Sequence, residues 1–132
     1  MEELLDENDI LLLSQIHSLN TLECGLLKDD SFKYLAKLTN LETLIVTSDY
    51  YIENVSSHLL NIFRNCTKLE FMDLSYCDEE ITRELIYKIL DILKNVRNPF
   101  LQNPLRLRVA DYPNYPQEQF NSMGEKYFII EV

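Results

Sequence analysis

The sequence predicts an α/β fold in which parallel strands line one face of a repeating solenoid and helices line the other. Three observations predict it. A short pattern, apolar-x-x-apolar-x-apolar, recurs as Leu19-Asn-Thr-Leu22-Glu-Cys24, Leu41-Glu-Thr-Leu44-Ile-Val46 and Leu69-Glu-Phe-Met72-Asp-Leu74. Between the copies the apolar period changes from two to about 3.6, the mark of a strand giving way to a helix. Within the strands, Glu23, Asp73, Arg106 and Arg108 alternate with apolar residues. A sheet covered on both faces would be apolar throughout, so this one is covered on one face only.

The strands come first in the argument because they set the repeat. A fourth copy lacks its first position, Leu105-Arg-Leu107-Arg-Val109, and a fifth reads Tyr127-Phe-Ile-Ile-Glu-Val132. With Leu22, Leu44, Met72, Leu105 and Phe128 taken as equivalent, the steps are 22, 28, 33 and 23 residues. Their mean falls within the period of roughly 20–29 residues of leucine-rich repeats, although the third step is long. About five parallel strands result, and parallel neighbours require crossovers, here helices.

The helices follow in order. Glu2 to Ser18 reads as an N-terminal helix with Leu5, Leu12, Leu13 and Ile16 facing inward, and it would cap the first repeat. For residues 1–8 a frayed acidic tail is the competing reading. Phe32, Leu35 and Leu38 share one helical face, as do Val55, Leu59, Ile62 and Phe63. The longest stripe, from Ile81 to Val96, carries Ile81, Leu85, Ile89, Ile92 and Val96, widened by Ile86, Leu90 and Leu93. Lys94 and Arg97 suit the negative pole of its dipole, and Asn98-Pro99 stops it. The segment from Pro99 to Pro104 has too few helical signals to be regular. The chain length suits one domain, divided into a capping helix over 1–18, repeats over 19–110, and a loop, short helix (Gln117–Met123) and last strand over 111–132.

Composition excludes several function classes. Acids outnumber bases by 22 to 12, for a net charge of −10. Such a surface repels phosphate backbones and anionic lipid, so neither nucleic acid nor a membrane is expected as partner. With only Gly25 and Gly124, no glycine-rich phosphate-binding loop can form. His17 and His58 lie far apart, and Cys24, Cys66 and Cys77 match no zinc spacing. No catalytic set, metal site or cofactor site is expected, and the chain is not read as an enzyme. Unpaired cysteines, an acidic N-terminus unlike a signal peptide and the lack of a long apolar run point to an intracellular protein, cytoplasmic or nuclear.

One segment is more specific: Cys66-Thr-Lys-Leu69-Glu-Phe-Met72-Asp-Leu74-Ser-Tyr-Cys77, then Ile81-Thr82. It resembles the cysteine-containing leucine-rich repeat of F-box proteins, with Met72 in place of one leucine and one extra residue before Ile81. The resemblance is close over about 20 residues and loose over residues 19–97. It implies that Cys66 and Cys77 pack inward as structural thiols, buried and unbridged. It further implies a protein-interaction module, the substrate-recognition end of an F-box-type ubiquitin ligase receptor. The alternative is a stand-alone leucine-rich repeat adaptor or structural protein without a ligase role. Only 18 residues precede Leu19, fewer than an F-box needs, so the ligase attachment is carried over to no residue of this sequence.

Other clusters have plainer explanations. Asp78-Glu79-Glu80 and Asp29-Asp30-Ser31 precede helices, where carboxylates cap and favour the dipole. The sequons at Asn54 and Asn65 fall in or at the end of one helix. Asp111-Tyr-Pro-Asn-Tyr115-Pro116 is a loop fixed by prolines and a rival candidate for binding.

The expected binding surface is the outward face of the strands. One row across it reads Glu23, Ile45, Asp73, Arg106 and Ile129, flanked by Thr21, Thr43, Phe71, Pro104 and Tyr127 on one side and by Gly25, Thr47, Ser75, Arg108 and Glu131 on the other. A partner protein is expected to meet Ile45, Phe71, Asp73, Arg106 and Arg108, with Phe71 at the centre and charges at the rim. Asp73 and Arg106 are expected to be exposed cross-strand neighbours.

Overall fold

The computed structural model describes residues 4–26, 29–47, 55–76, 82–109 and 126–131. They form one six-stranded, wholly parallel sheet whose strands lie in chain order. The strands are β1 (Leu4–Leu5), β2 (Thr21–Leu26), β3 (Thr43–Thr47), β4 (Phe71–Tyr76), β5 (Leu105–Arg108) and β6 (Phe128–Glu131). Between them run α1 (Glu7–Leu13), α2 (Asp29–Tyr34) continued by a 3₁₀ turn at Leu35–Lys37, α3 (Val55–Asn65) and α4 (Arg83–Val96). No helix among the described residues is long and apolar enough to cross a membrane.

Period-two alternation fixes what the strands bury. Leu44, Val46, Met72, Leu74, Leu105, Leu107, Phe128 and Ile130 are buried, whereas Thr43, Ile45, Phe71, Arg106, Arg108 and Ile129 are half-buried or exposed. The buried strand residues form one core with Ile10 of α1, Phe32 and Leu35, then Leu59, Ile62 and Phe63 of α3, then Leu85, Ile86, Ile89, Leu90 and Leu93 of α4. Phe63 meets Phe128 ring to ring, with centroids 6.5 Å apart, so α3 reaches across to β6. Every helical stripe expected from the 3.6 period among residues 32–38, 55–63 and 85–93 faces this core.

Local chemistry sets the helix limits. Thr82 caps α4 by accepting from the Leu85 amide at 3.1 Å, and the chain turns extended at Arg97, next to Asn98-Pro99. Ile81 lies outside the described residues. At the N-terminus the expected long helix is shorter, and a strand precedes it. Asp6 and Asp9 form a reciprocal capping box (2.9 and 3.1 Å) that starts α1 at Glu7, and Leu4–Leu5 instead pairs with Gly25 and Leu26. The sheet therefore gains a sixth strand. Ile10 is the buried residue of α1, whereas Leu12 and Ile16, expected inside, are exposed. α2 begins at Asp29, so the Asp29-Asp30-Ser31 run forms its first turn rather than preceding it.

Three successive helix-to-strand turns share one hydrogen bond. The amides of Leu19, Leu41 and Leu69 donate to the carbonyls of Ile16, Leu38 and Cys66 at 3.1–3.2 Å. Just beyond, the carbonyls of Asn20 and Glu42 each accept two amides from the next strand entry, those of Glu42–Thr43 and Glu70–Phe71. Cys66 is buried, is in no disulfide, and directs Sγ at the Leu38 carbonyl 3.4 Å away, with those of Leu35 and Ala36 at 3.8 and 3.9 Å. These carbonyls end the preceding 3₁₀ turn, where backbone acceptors lack helical partners. Burial pushes the Cys66 thiol up to about 12, so it stays protonated and is a poor nucleophile. Cys77 and the acidic run after it lie outside the described residues.

The fourth strand-to-strand register differs from expectation by two residues. Phe71 pairs with Arg106 and Asp73 with Arg108, so Met72 is level with Leu107 rather than Leu105. A slip of two leaves every side chain on its face, so alternation cannot choose between the registers. The Arg97 guanidinium is buried and donates to the carbonyls of Thr67 (3.2 Å), Leu69 (2.7 Å) and Asn103 (2.8 Å). Gln102 also donates to the Thr67 carbonyl at 2.8 Å. These bonds tie the turn before β5 to the residues that lead into β4. Burial lowers the Arg97 pKa, with the Glu70 carboxylate acting against that shift. The dipole role expected of Arg97 is secondary to this clamp.

Candidate functional site

The outward sheet face brings together four of the five expected residues at its surface and buries the fifth beneath them. Phe71 opens β4 and is half-buried. The guanidinium carbons of Arg106 and Arg108 lie 4.9 and 5.2 Å from its ring centroid. Two cations thus share one aromatic ring, an arrangement worth about 0.5–1 kcal/mol per contact at an exposed site. Glu131 of β6 faces both arginines, with one oxygen 3.5 Å from Arg106 and the other 3.4 Å from Arg108. This carboxylate offsets the repulsion between two guanidiniums on one ring. The observed register creates the cluster: it sets Arg106 level with Phe71, and Arg108 level with both Asp73 and Glu131.

Asp73 is the correction. It is only 5% exposed, and its partner is Arg108 at 3.8 Å rather than Arg106. The β4–β5 register sets that pairing, and a bulge against β3 follows Asp73. Ile45 pairs with Asp73 but Thr47 pairs with Tyr76, so β4 carries one extra residue between these pairs. One oxygen of Asp73 accepts from the Ser75 amide at 2.8 Å and from its hydroxyl at 2.6 Å, closing a side-chain turn over the bulge. Asp73 is thus an underpinning for Arg108 and not a rim charge. Ile45, opposite Asp73, is half-buried and extends the apolar centre toward β3.

Sequence reasoning missed the part played by Glu131, which stands in a flanking row but becomes central once the register is known. It also missed the Ser75 turn, whose signal is an Asp two residues before a Ser in a strand. The face narrows chemically toward β2, where Thr21 and Glu23, with Thr43 of β3 beside them, offer little apolar area. The proline-fixed loop at 111–116 and the helix expected at 117–123 lie outside the described residues. Among the described residues no group of three His, Cys, Asp or Glu side chains could hold a metal ion. His17 is exposed, and His58 stands against the Phe32 ring, 5.8 Å between centroids. What this site offers is an aromatic ring and two guanidiniums on the outward face of the sheet. No family model, curated protein or solved structure matches the chain.

Proposed function

We propose that the chain is a leucine-rich repeat solenoid of the cysteine-containing type, and that it binds a partner protein on its exposed sheet face. Support for the repeat reading comes from the shared turn at Leu19, Leu41 and Leu69, and from Cys66 filling the carbonyl end of the preceding turn. Resemblance then makes it the substrate-recognition part of an F-box-type ubiquitin ligase receptor. The observation that carries the docking reading is Phe71 held under Arg106 and Arg108, with Glu131 fixing both. Arginine and aromatic residues dominate contact energetics, and a pre-set guanidinium loses less entropy on binding than a free one. Partner chemistry follows: carboxylates for the open edges of the two guanidiniums, and an apolar group over Phe71 and Ile45.

The test is comparative affinity capture from cells with the wild-type chain, Phe71→Ala and Arg106→Glu. The expected result is a partner set held by the wild type, lost with Phe71→Ala, and captured more slowly with Arg106→Glu, because a rim charge acts mainly on association. Ligase substrates within that set support the receptor role, and a set without any favours an adaptor. An identical partner set from all three chains would overturn the docking reading.

A further inference from the structure

We infer a second contact surface on the edge of the sheet where helices end and strands begin, built to take an acidic segment of a partner protein. In a parallel sheet every helix-to-strand turn lies on this one edge. The turn over residues 97–104 projects Phe100 and Leu101 from it, 94% and 81% exposed. The projection is rigid. Asn98 accepts the Phe100 amide on its side chain (2.9 Å) and the Leu101 and Gln102 amides on its carbonyl (3.0 and 2.9 Å). The Gln102 side chain accepts from the Asn98 amide at 3.2 Å and donates to Thr67 in the neighbouring turn, and Arg97 clamps the base. An adjacent apolar pair this exposed and this firmly tied is unusual where nothing is to be met.

Charge on this edge opposes that of the whole molecule. The net charge is −10, yet Lys37, Arg64, Lys68 and Lys94 stand exposed at the helix ends and turns, against Glu42 and Glu70 at the strand entries. Lys68 leans toward the preceding turn, where its ammonium donates to the Asn40 side chain at 3.0 Å. Asn40 is one wall of a groove of about 330 Å³, lined also by Leu13, Ile16, Leu19, Lys37 and Leu38. From Phe100 to this groove the track crosses β5, β4 and β3, about 10 Å at the usual strand spacing. It reads apolar, then a stretch where Arg64, Lys68 and Lys94 outnumber Glu42 and Glu70, then apolar with Lys37. A segment with apolar residues near both ends and carboxylates between them complements it. The site shares no side chain with the Phe71 cluster.

The full chain is used as bait for a displayed library of random peptides, and the enriched peptides are synthesised and titrated by fluorescence polarisation. Acid-rich peptides with flanking apolar residues are expected. Their affinity should fall about 30-fold or more for Phe100→Ser/Leu101→Ser. It should lose most of its salt dependence for Lys68→Glu/Lys94→Glu, and hold for Phe71→Ala. All four edge side chains are exposed, so the thermal transitions of these variants should match the wild type. No enrichment, enrichment of basic peptides, or affinity unchanged by Phe100→Ser/Leu101→Ser overturns the inference. So does binding to phosphatidylserine vesicles, or self-association in sedimentation, that the same double variant abolishes, since the occupant is then a membrane or a second copy.

Discussion

Two arginine-built regions of this molecule use the same chemistry to opposite ends. On the sheet face, Arg106 and Arg108 lay their guanidiniums over Phe71 and half cover it. In the turn over residues 97–104, Arg97 sends its guanidinium inward to three backbone carbonyls and leaves Phe100 and Leu101 bare. The face is a cluster whose arginines are held on one side by Glu131 and Asp73 and stay half exposed on the other. The turn is a rigid support for apolar groups that have no partners of their own. The difference shows that backbone satisfaction and surface presentation are separable: one arginine can fix a loop without touching what the loop displays.

The largest effect should come from breaking the part both regions depend on. Arg97→Ala leaves three carbonyls without their donor in a confined site, and should cost about 3 kcal/mol by urea unfolding. Arg97→Lys should recover only part of this, since an ammonium cannot fork between Leu69 and Asn103. A loss below about 1 kcal/mol for Arg97→Ala would show that the register is held elsewhere.

That residue also marks the limit of what can be read from sequence. The strands and helical stripes were legible because each is a local pattern: Leu44 and Val46, or Leu59, Ile62 and Phe63, declare their faces within one element. The β5 register was not, because moving Arg106 from Asp73 to Phe71 preserves every inside and outside position. Contacts distant in the sequence, such as that between residues 97 and 69, accompany it, and no periodicity encodes them. Asp73 was misplaced for a similar reason, as its burial rests on a turn with Ser75 that adds a residue to β4. β1 is two residues long, too short to show alternation, and the helix expected from Glu2 starts only at Glu7, after the Asp6–Asp9 cap.

Phe71→Ala sharpens the comparison from the other side. It should weaken partner binding by about 2 kcal/mol or more while costing about 1 kcal/mol of stability, the value of the lost ring contacts. Calorimetry of binding and of unfolding on the same samples separates the two. A smaller effect distinguishes the two face arginines. Each loses a ring contact with Phe71, but Arg108→Ala also removes the ion partner of buried Asp73 and should destabilise by about 1.5 kcal/mol, whereas Arg106→Ala, whose other partner is the half-buried Glu131, should cost about 0.5–1 kcal/mol. Equal losses would mean that Ser75 alone satisfies Asp73.

At neutral pH the smallest effect belongs to Cys66. Its folded pKa is pushed up to about 12 from 9.0, so the folded state holds the proton more tightly than the unfolded state. The resulting stability is whole below about pH 9 and is lost as pH rises toward 12. Wild type and Cys66→Ala should therefore differ by a constant amount from pH 6 to about 8.5 and converge above it, as read by denaturant midpoints. Native-state alkylation of Cys66 should be slow and should accelerate only with global unfolding.

The central claim is that a partner lies across the Phe71 face, and site-specific photocrosslinking tests it most directly. A benzophenone side chain replaces Ile45, which borders the cluster, or Lys88, which is exposed on α4. The account predicts a partner crosslink from position 45 that disappears when Phe71→Ala is added, and none from position 88. A crosslink to the same partner from position 88, or one from position 45 that survives Phe71→Ala undiminished, would contradict it.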